Sequence, residues 1–450
     1  MRIVVIGSGH VGLVTGACLA DKKHNVICVD NNRSKIETLQ RGVITFYEPG
    51  LAEMVHRNIK NRRLSFSSDI QKAVRFAEII FIAVGTPLGK GGGADLSQIR
   101  RVSKEIAKHL NNQYKIIVEK STVPAGTAEE IKRTIKFYAS KNAKYEIVSN
   151  PEFLQEGTAI KTTIQPDRII LGVQSKSEES LSVHPCAKGR PSGQAEKIMR
   201  RLFRSFNSKI LVTDFNSAEL IKHASNSFLA MKISYINALA NICERVGANI
   251  KSVAQGLGLD KRINPHFLNA GIGYGGFCLP KDVVAFIHIA DKVGYNFEIL
   301  KAVHNTNILQ RHLFVNKIKK ALNNKIEGRH IAVWGLSFKP NTDDIREAPA
   351  IYIIQALLRE KAHIKTYDPQ AMKETQSILS NIRYSPNAYE AARDSDCLVI
   401  ATEWDEFKNI SLRKLKKIMR RPIIIDGRNM FEPTTMKRLG FSYYGIGFRH

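Results

Sequence analysis

The 450-residue chain is too long for one ordinary hydrophobic core, so two or three packed units are expected. Its composition, 43% hydrophobic and 24% charged, is that of a folded globular protein, and no stretch approaches the ~18 consecutive apolar residues of a membrane span. A formal charge of +27, from 68 basic against 41 acidic side chains, favours anionic ligands, either nucleic acid or phosphorylated metabolites.

The basic residues are spread along the chain with short clusters at 317–320 and 413–421, and no nucleic-acid motif accompanies them. A solvated basic surface is therefore expected, with neither nucleic acid nor membrane as partner. Cys18, Cys28, Cys186, Cys243, Cys278 and Cys397 are far apart and form no CxxC pair, which predicts no metal site, no disulfide framework and a reducing cytoplasm.

Along the chain, β-rich runs at 3–6, 26–29, 79–84, 116–119, 146–149 and 168–172 alternate with helical patterns. That alternation predicts a parallel, doubly wound sheet in an N-terminal domain, 1–195. The Ser-, Gly- and Pro-rich segment 175–194 reads as an exposed loop. A long helix follows from Asn216 without Pro or Gly until Gly247, with Asn216 and Glu219 as a capping box. Its apolar positions occupy more than one stripe, which suits a central helical domain, 196–325, that also forms a dimer. Strand patterns resume at 331–334, 363–367, 397–401 and 423–426, giving a second Rossmann-like domain, 326–450. Its Gly335-Leu336 turn lacks GxGxxG, so a dinucleotide is not expected there. The fold class is thus α/β, with two Rossmann-like doubly wound domains joined by a helical central region.

Gly7-Ser8-Gly9-His10-Val11-Gly12 directly follows the first strand, and Asp30 ends the next. Gly7 permits the tight turn, Gly9 lets backbone approach a pyrophosphate, and Gly12 allows helix and strand to pack closely. A carboxylate at Asp30 selects NAD over NADP, although Arg33 and Lys35 lie near enough to soften the choice.

The run Gly275-Gly276-Phe277-Cys278-Leu279-Pro280-Lys281-Asp282 places a cysteine at the start of a helix. There the helix N-terminus and Lys281 favour a thiolate, and Asp282 shares the helical face and suits a water-handling role. Taken alone, Cys278 reads equally well as a nucleophile or as a small buried hydrophobe. Glu152 with Glu156, and Lys222 with Asn226, are further pairs four residues apart. Thiolate, acid/base, cation and NAD together are what oxidising an alcohol past the aldehyde requires.

With these residues, and with Val84-Gly85-Thr86-Pro87, Ser121 to Thr127, Asn150 to Gly157, Phe338 to Arg346 and Asp426-Gly427-Arg428 in the same order, the chain resembles the UDP-glucose/GDP-mannose dehydrogenase family almost end to end. The resemblance implies a four-electron oxidation of UDP-glucose to UDP-glucuronate with NAD, and GDP-mannose or a UDP-N-acetylhexosamine as the alternative substrate. It implies NAD contacts at Gly7, Gly9, Val11, Gly12, Asp30, Lys35, Thr86, Thr122, Glu156, Lys281 and Arg346. Cys278 becomes the nucleophile, Lys222 and Asn226 stabilise oxyanions, Asp282 and Glu152 handle water, and Glu156 and Thr122 complete the catalytic set. The substrate is implied at Glu152, Phe153, Leu154, Gln155, Glu156, Lys222 and Asn226. Its further contacts are Phe267, Leu268, Asn269, Ala270, Gly271, Gly275, Lys339 and Arg428, with Arg262 reaching in from a dimer partner. Phe277 departs from the serine common in the family. A two-electron hydroxyacid dehydrogenase shares the Lys and Asn pair but not the cysteine motif, and a basic nucleotide-binding protein without catalysis has only the net charge in its favour.

Overall fold

The side chains of the first strand, Arg2–Ile6 (β1), alternate between two layers. Ile3 and Val5 pack with Leu13, Val14 and Phe81, whereas Val4 and Ile6 pack with Ile80, Ile82 and Ile117. A strand covered on both faces must be apolar throughout, and each such aliphatic side chain contributes roughly 1.5–3 kcal/mol. The same pattern recurs in the central strands that follow.

The structure, a computed structural model, describes residues 1–89, 91–174 and 193–449. It contains two compact units, Met1–Ala224 and Ser225–His450. The first is built on β1 and on Asn25–Val29 (β2), Leu64–Ser67 (β3), Ile79–Ile82 (β4), Lys115–Glu119 (β5), Tyr145–Ser149 (β6), Arg168–Val173 (β7) and Lys209–Thr213 (β8). Their order is β3-β2-β1-β4-β5-β6-β7-β8. All neighbours run parallel except β6 and β7, a departure from the all-parallel expectation. In the connection between those two strands only the six residues Ala159–Ile164 are helical. At ~9 Å that helix is too short to carry the chain back along a strand of ~16 Å, so β7 starts from the end where β6 stopped.

The second unit is built on His330–Trp334 (β9), His363–Tyr367 (β10), Arg383–Tyr384 (β11), Cys397–Ile400 (β12), Ile423–Asp426 (β13) and Ser442–Tyr444 (β14), ordered β11-β10-β9-β12-β13-β14 and all parallel. This is the full Rossmann order. The helices Ile250–Leu259, Cys278–Lys292 and Glu298–Ala321 precede it in the chain. The expected class, two Rossmann-like folds with a helical stretch between them in sequence, holds.

The long helix spans Phe215–Val246, with residues 215–224 in the first unit and 225–246 in the second. Its cap is not the expected Asn216–Glu219 box. Asp214 accepts the Ser217 N–H at 2.8 Å and the Ser217 hydroxyl at 2.7 Å, which leaves Glu219 free for a more distant task. The loop expected at 175–194, with Cys186, lies outside the described residues apart from its last two positions. Among the described residues, no helix is long and apolar enough to cross a membrane.

Candidate active site

β1 runs into Gly7, whose φ is +100° and whose Cβ, were there one, would stand 2.5 Å from the Ala83 carbonyl oxygen. Only glycine fits this turn, which lies at the switch point where β1 is flanked by β2 and β4. The helix His10–Asp21 that follows has no side-chain cap, and nothing lies within 4 Å of the Cβ position at Gly9. Gly12 and half-buried Val11 are in its first turn. Asp30 accepts N–H groups of Ser8 at 3.0 Å and Asn32 at 3.1 Å and pairs with Lys35 at 3.2 Å. Burial opposes its charge, but these partners outweigh burial and hold its pKa below the usual value. An uncapped helix start, open space over a glycine and an ionised carboxylate at the end of β2 fit a dinucleotide. Thr86, after β4, donates to the Thr122 carbonyl at 2.8 Å, so two further predicted cofactor residues are brought together.

The equivalent turn in the second sheet is built for something else. Gly335, at φ +88°, is crowded by Thr402, and Asp368, after β10, is fully buried. That carboxylate accepts from Leu336 N at 2.7 Å, Ser337 N at 3.1 Å and Trp404 Nε1 at 3.1 Å. Its other oxygen accepts from Gln370 N and Ala371 N at 2.8 Å each, so no lone pair is left to offer a ribose.

In the first unit the predicted helical face shared by Glu152 and Glu156 is not formed, because helix begins only at Ala159. Glu152 Oε2 instead turns back to accept the Leu154 N–H at 2.6 Å, a local bond that competes with helix. Its Oε1 meets Lys222 Nζ at 3.0 Å, both groups nearly buried, so one member of each predicted pair joins the other. The Phe153 ring lies 5.4 Å from Lys222 Nζ and 4.2 Å from the Arg168 guanidinium. Lys120 donates to Asn150 Oδ1 at 3.1 Å, and burial lowers its pKa to about 8 against the pull of Glu152 and Glu119. Burial, reinforced by Glu219, pushes the Glu119 carboxyl well above its ordinary value.

Two side chains that the sequence patterns did not assign to a site hold the Thr122 loop. Glu219 accepts the N–H groups of Gly126 and Ala128, both at 2.7 Å, at the start of the helix Thr127–Tyr138. One turn along the long helix, buried His223 meets the Val123 carbonyl through Nε2 at 3.1 Å. Glu48 does the same for the Glu152–Gly157 loop, accepting Gly157 N and Ala159 N at 2.7 Å each.

In the second unit Cys278 is the first residue of Cys278–Lys292, with Pro280 in its first turn. It is half-buried, whereas Cys18, Cys28, Cys243 and Cys397 are buried thiols. Asp282, one turn along on the same face, accepts from Asn226 Nδ2 and Lys281 Nζ, each at 2.5 Å. The Lys281 ammonium is therefore committed to Asp282 rather than reserved for the thiol. Arg346 stacks at 4.3 Å on Phe277 while Asp344 grips it at 2.8 and 2.6 Å.

Arg428 gathers the predicted substrate residues of this unit. Its Nη2 donates to Phe338 O at 3.1 Å, beside Lys339, and its Nη1 donates to Gly273 O at 3.4 Å, two residues before Gly275. Gly271 backs onto the Gly427 carbonyl and the same guanidinium. In the segment leading there, Phe267 holds φ at +65°, Leu268 and Ala270 are buried and Asn269 is exposed. Arg262 stands apart, solvent-exposed and bound to Asp260. Among the described residues, no cluster of three His, Cys, Asp or Glu could hold a metal ion.

Three models of the UDP-glucose/GDP-mannose dehydrogenase family match the chain: the NAD binding domain over 1–187, the central domain over 216–308 and the UDP binding domain over 332–433. The UDP-glucose 6-dehydrogenase TuaD of Bacillus subtilis is 44% identical over 99% of this chain and 93% of its own, and that of Rhizobium meliloti is 41% identical over 99% of both. The structure of a UDP-glucose dehydrogenase from Pyrobaculum islandicum superposes with a TM-score of 0.89 at 33% identity, covering 99% of this chain and 97% of that one. A UDP-D-ManNAc dehydrogenase from Pyrococcus horikoshii gives 0.83 at 26% identity, covering 99% of each. The chain belongs to the UDP-glucose/GDP-mannose dehydrogenase family and is an NAD-dependent oxidoreductase.

Proposed function

We propose that the chain oxidises the C6 hydroxymethyl group of UDP-glucose to a carboxylate, consuming two NAD and one water and yielding UDP-glucuronate. The observation that carries this is Cys278, the half-buried thiol at a helix start with Asp282 one turn away. NAD, when bound, would supply the hydride acceptor for both oxidations of C6, and the O6 proton released in the first passes to solvent. Between them the Cys278 sulfur adds to the C6 aldehyde, so that an S–C bond forms and the carbonyl pair becomes an oxyanion. Lys222 and Asn226 stabilise that charge, the first held by Glu152 and the second by Asp282. After the second oxidation C6 is a thioester, and water deprotonated with the help of Asp282 and Glu152 attacks it, breaking C–S and returning the thiolate. Arg428 and Lys339 supply positive charge that suits the diphosphate.

UDP-glucose is chosen because relatives more than 40% identical over nearly the whole chain carry that activity in their names. Purified protein assayed with UDP-glucose, GDP-mannose and UDP-N-acetylglucosamine is expected to prefer UDP-glucose by at least about tenfold in kcat/KM. Preference for another sugar nucleotide would move the assignment to a sister enzyme.

A homodimer in a reducing cytoplasm completes the reading. Phe228, Tyr235 and Ile242, seven residues apart on the long helix, are 57%, 56% and 53% exposed, a stripe that suits burial against a second copy. Light scattering is expected to give twice the 50.5 kDa chain mass for wild type and the chain mass for a Phe228→Glu, Tyr235→Glu variant. A monomeric wild type would refute the dimer.

A further inference from the structure

Glu48 lies outside every motif discussed above, yet its side chain is almost wholly buried and joins two of them. Its Oε2 takes the Gly157 N–H at 2.7 Å and faces His10 Nε2 at 3.1 Å, and its Oε1 takes the Ala159 N–H at 2.7 Å. A buried carboxylate costs several kcal/mol unless it is hydrogen-bonded, and here two backbone N–H groups and the His10 ring meet it. His10 is the residue that turns the glycine run into helix, and its ring is fixed on the other side by Phe46, stacked at 4.3 Å. Gly157 ends the Glu152–Glu156 loop.

We propose that Glu48 is a positioning residue that locks the dinucleotide turn, through His10, in register with the Glu152–Gly157 loop, so that binding of cofactor and of sugar nucleotide both depend on it. The second half of this statement rests on the reading that the loop meets the sugar nucleotide. Carboxylate chemistry is essential to the arrangement. A glutamine of the same shape accepts through one oxygen only and turns its NH2 toward a backbone N–H.

Glu48→Gln in the full chain is expected to raise the NAD Kd, measured by calorimetry without sugar nucleotide, about tenfold, and the KM for UDP-glucose severalfold, while Tm falls by no more than a few degrees. His10→Asn, at a mostly buried position, is expected to raise the NAD Kd severalfold alone and to add less than twofold in the Glu48→Gln background. Loss confined to kcat and Tm with both constants unchanged, or additive effects of the two substitutions, would overturn the proposal. A wild type that ignores UDP-glucose while the NAD cycle behaves as stated would sink the substrate reading and leave the lock on the turn standing.

Discussion

Replacing Cys278 with alanine is expected to slow NADH formation from UDP-glucose by ~10³-fold or more while Tm changes by less than a few degrees. The first half follows from the absence of a substitute among the described residues: Cys243 and Cys397 are buried, and burial pushes the Cys18 and Cys28 thiols up to about 12. A thiol in that range is almost entirely protonated at neutral pH, and the thiolate is the nucleophile. Cys278 instead is half-buried and opens a helix, where the helix dipole favours negative charge. The second half follows from its packing, since a half-buried first-turn residue leaves little cavity when truncated. Rates of the two proteins at saturating NAD and UDP-glucose, with calorimetric Tm values, check both halves. A variant within tenfold of wild type would remove Cys278 from the covalent role.

Asp30→Asn is expected to raise the KM for NAD ~10- to 100-fold and to shrink the preference for NAD over NADP by at least as much. The Asp30 carboxylate is ionised, held below its usual pKa by the Ser8 and Asn32 N–H groups and Lys35 against the cost of burial. An anion there accepts from a ribose hydroxyl and repels a 2'-phosphate. Asparagine removes the repulsion and leaves Lys35 and exposed Arg33 beside a phosphate. Equal loss with both cofactors would show that Asp30 shapes the turn without selecting between them.

What was legible in the sequence was local. The glycine turn and Asp30 sit within one strand-turn-helix-strand unit, and the pairs Cys278 with Asp282 and Lys222 with Asn226 need only helical spacing to share a face. Central strands announced themselves as apolar runs because both faces are covered. The strands that escaped notice, β3, β8, β11 and β14, are the edges of the two sheets, where polar residues such as those of Leu64–Ser67 and Arg383–Tyr384 are tolerated.

Distant contacts were not legible. Glu219 satisfies the local spacing of a capping box, yet its carboxylate is used more than 90 residues away in sequence, on Gly126 and Ala128. Glu48 reaches Gly157 and Ala159 across more than 100 residues, and no periodicity marks either glutamate. The Lys222–Glu152 ion pair was present in sequence only as two unrelated spacings. Glu152 illustrates the converse error: it has helical spacing to Glu156, but a short-range bond to Leu154 N makes the segment a loop.

The double oxidation itself is tested most directly by stoichiometry. With NAD in excess and UDP-glucose limiting, absorbance at ~340 nm after complete reaction is expected to report two NADH for each UDP-glucose consumed, with UDP-glucuronate as the only sugar-nucleotide product. One NADH per UDP-glucose, with the aldehyde as final product, would contradict the thioester route and leave Cys278 without the role given to it.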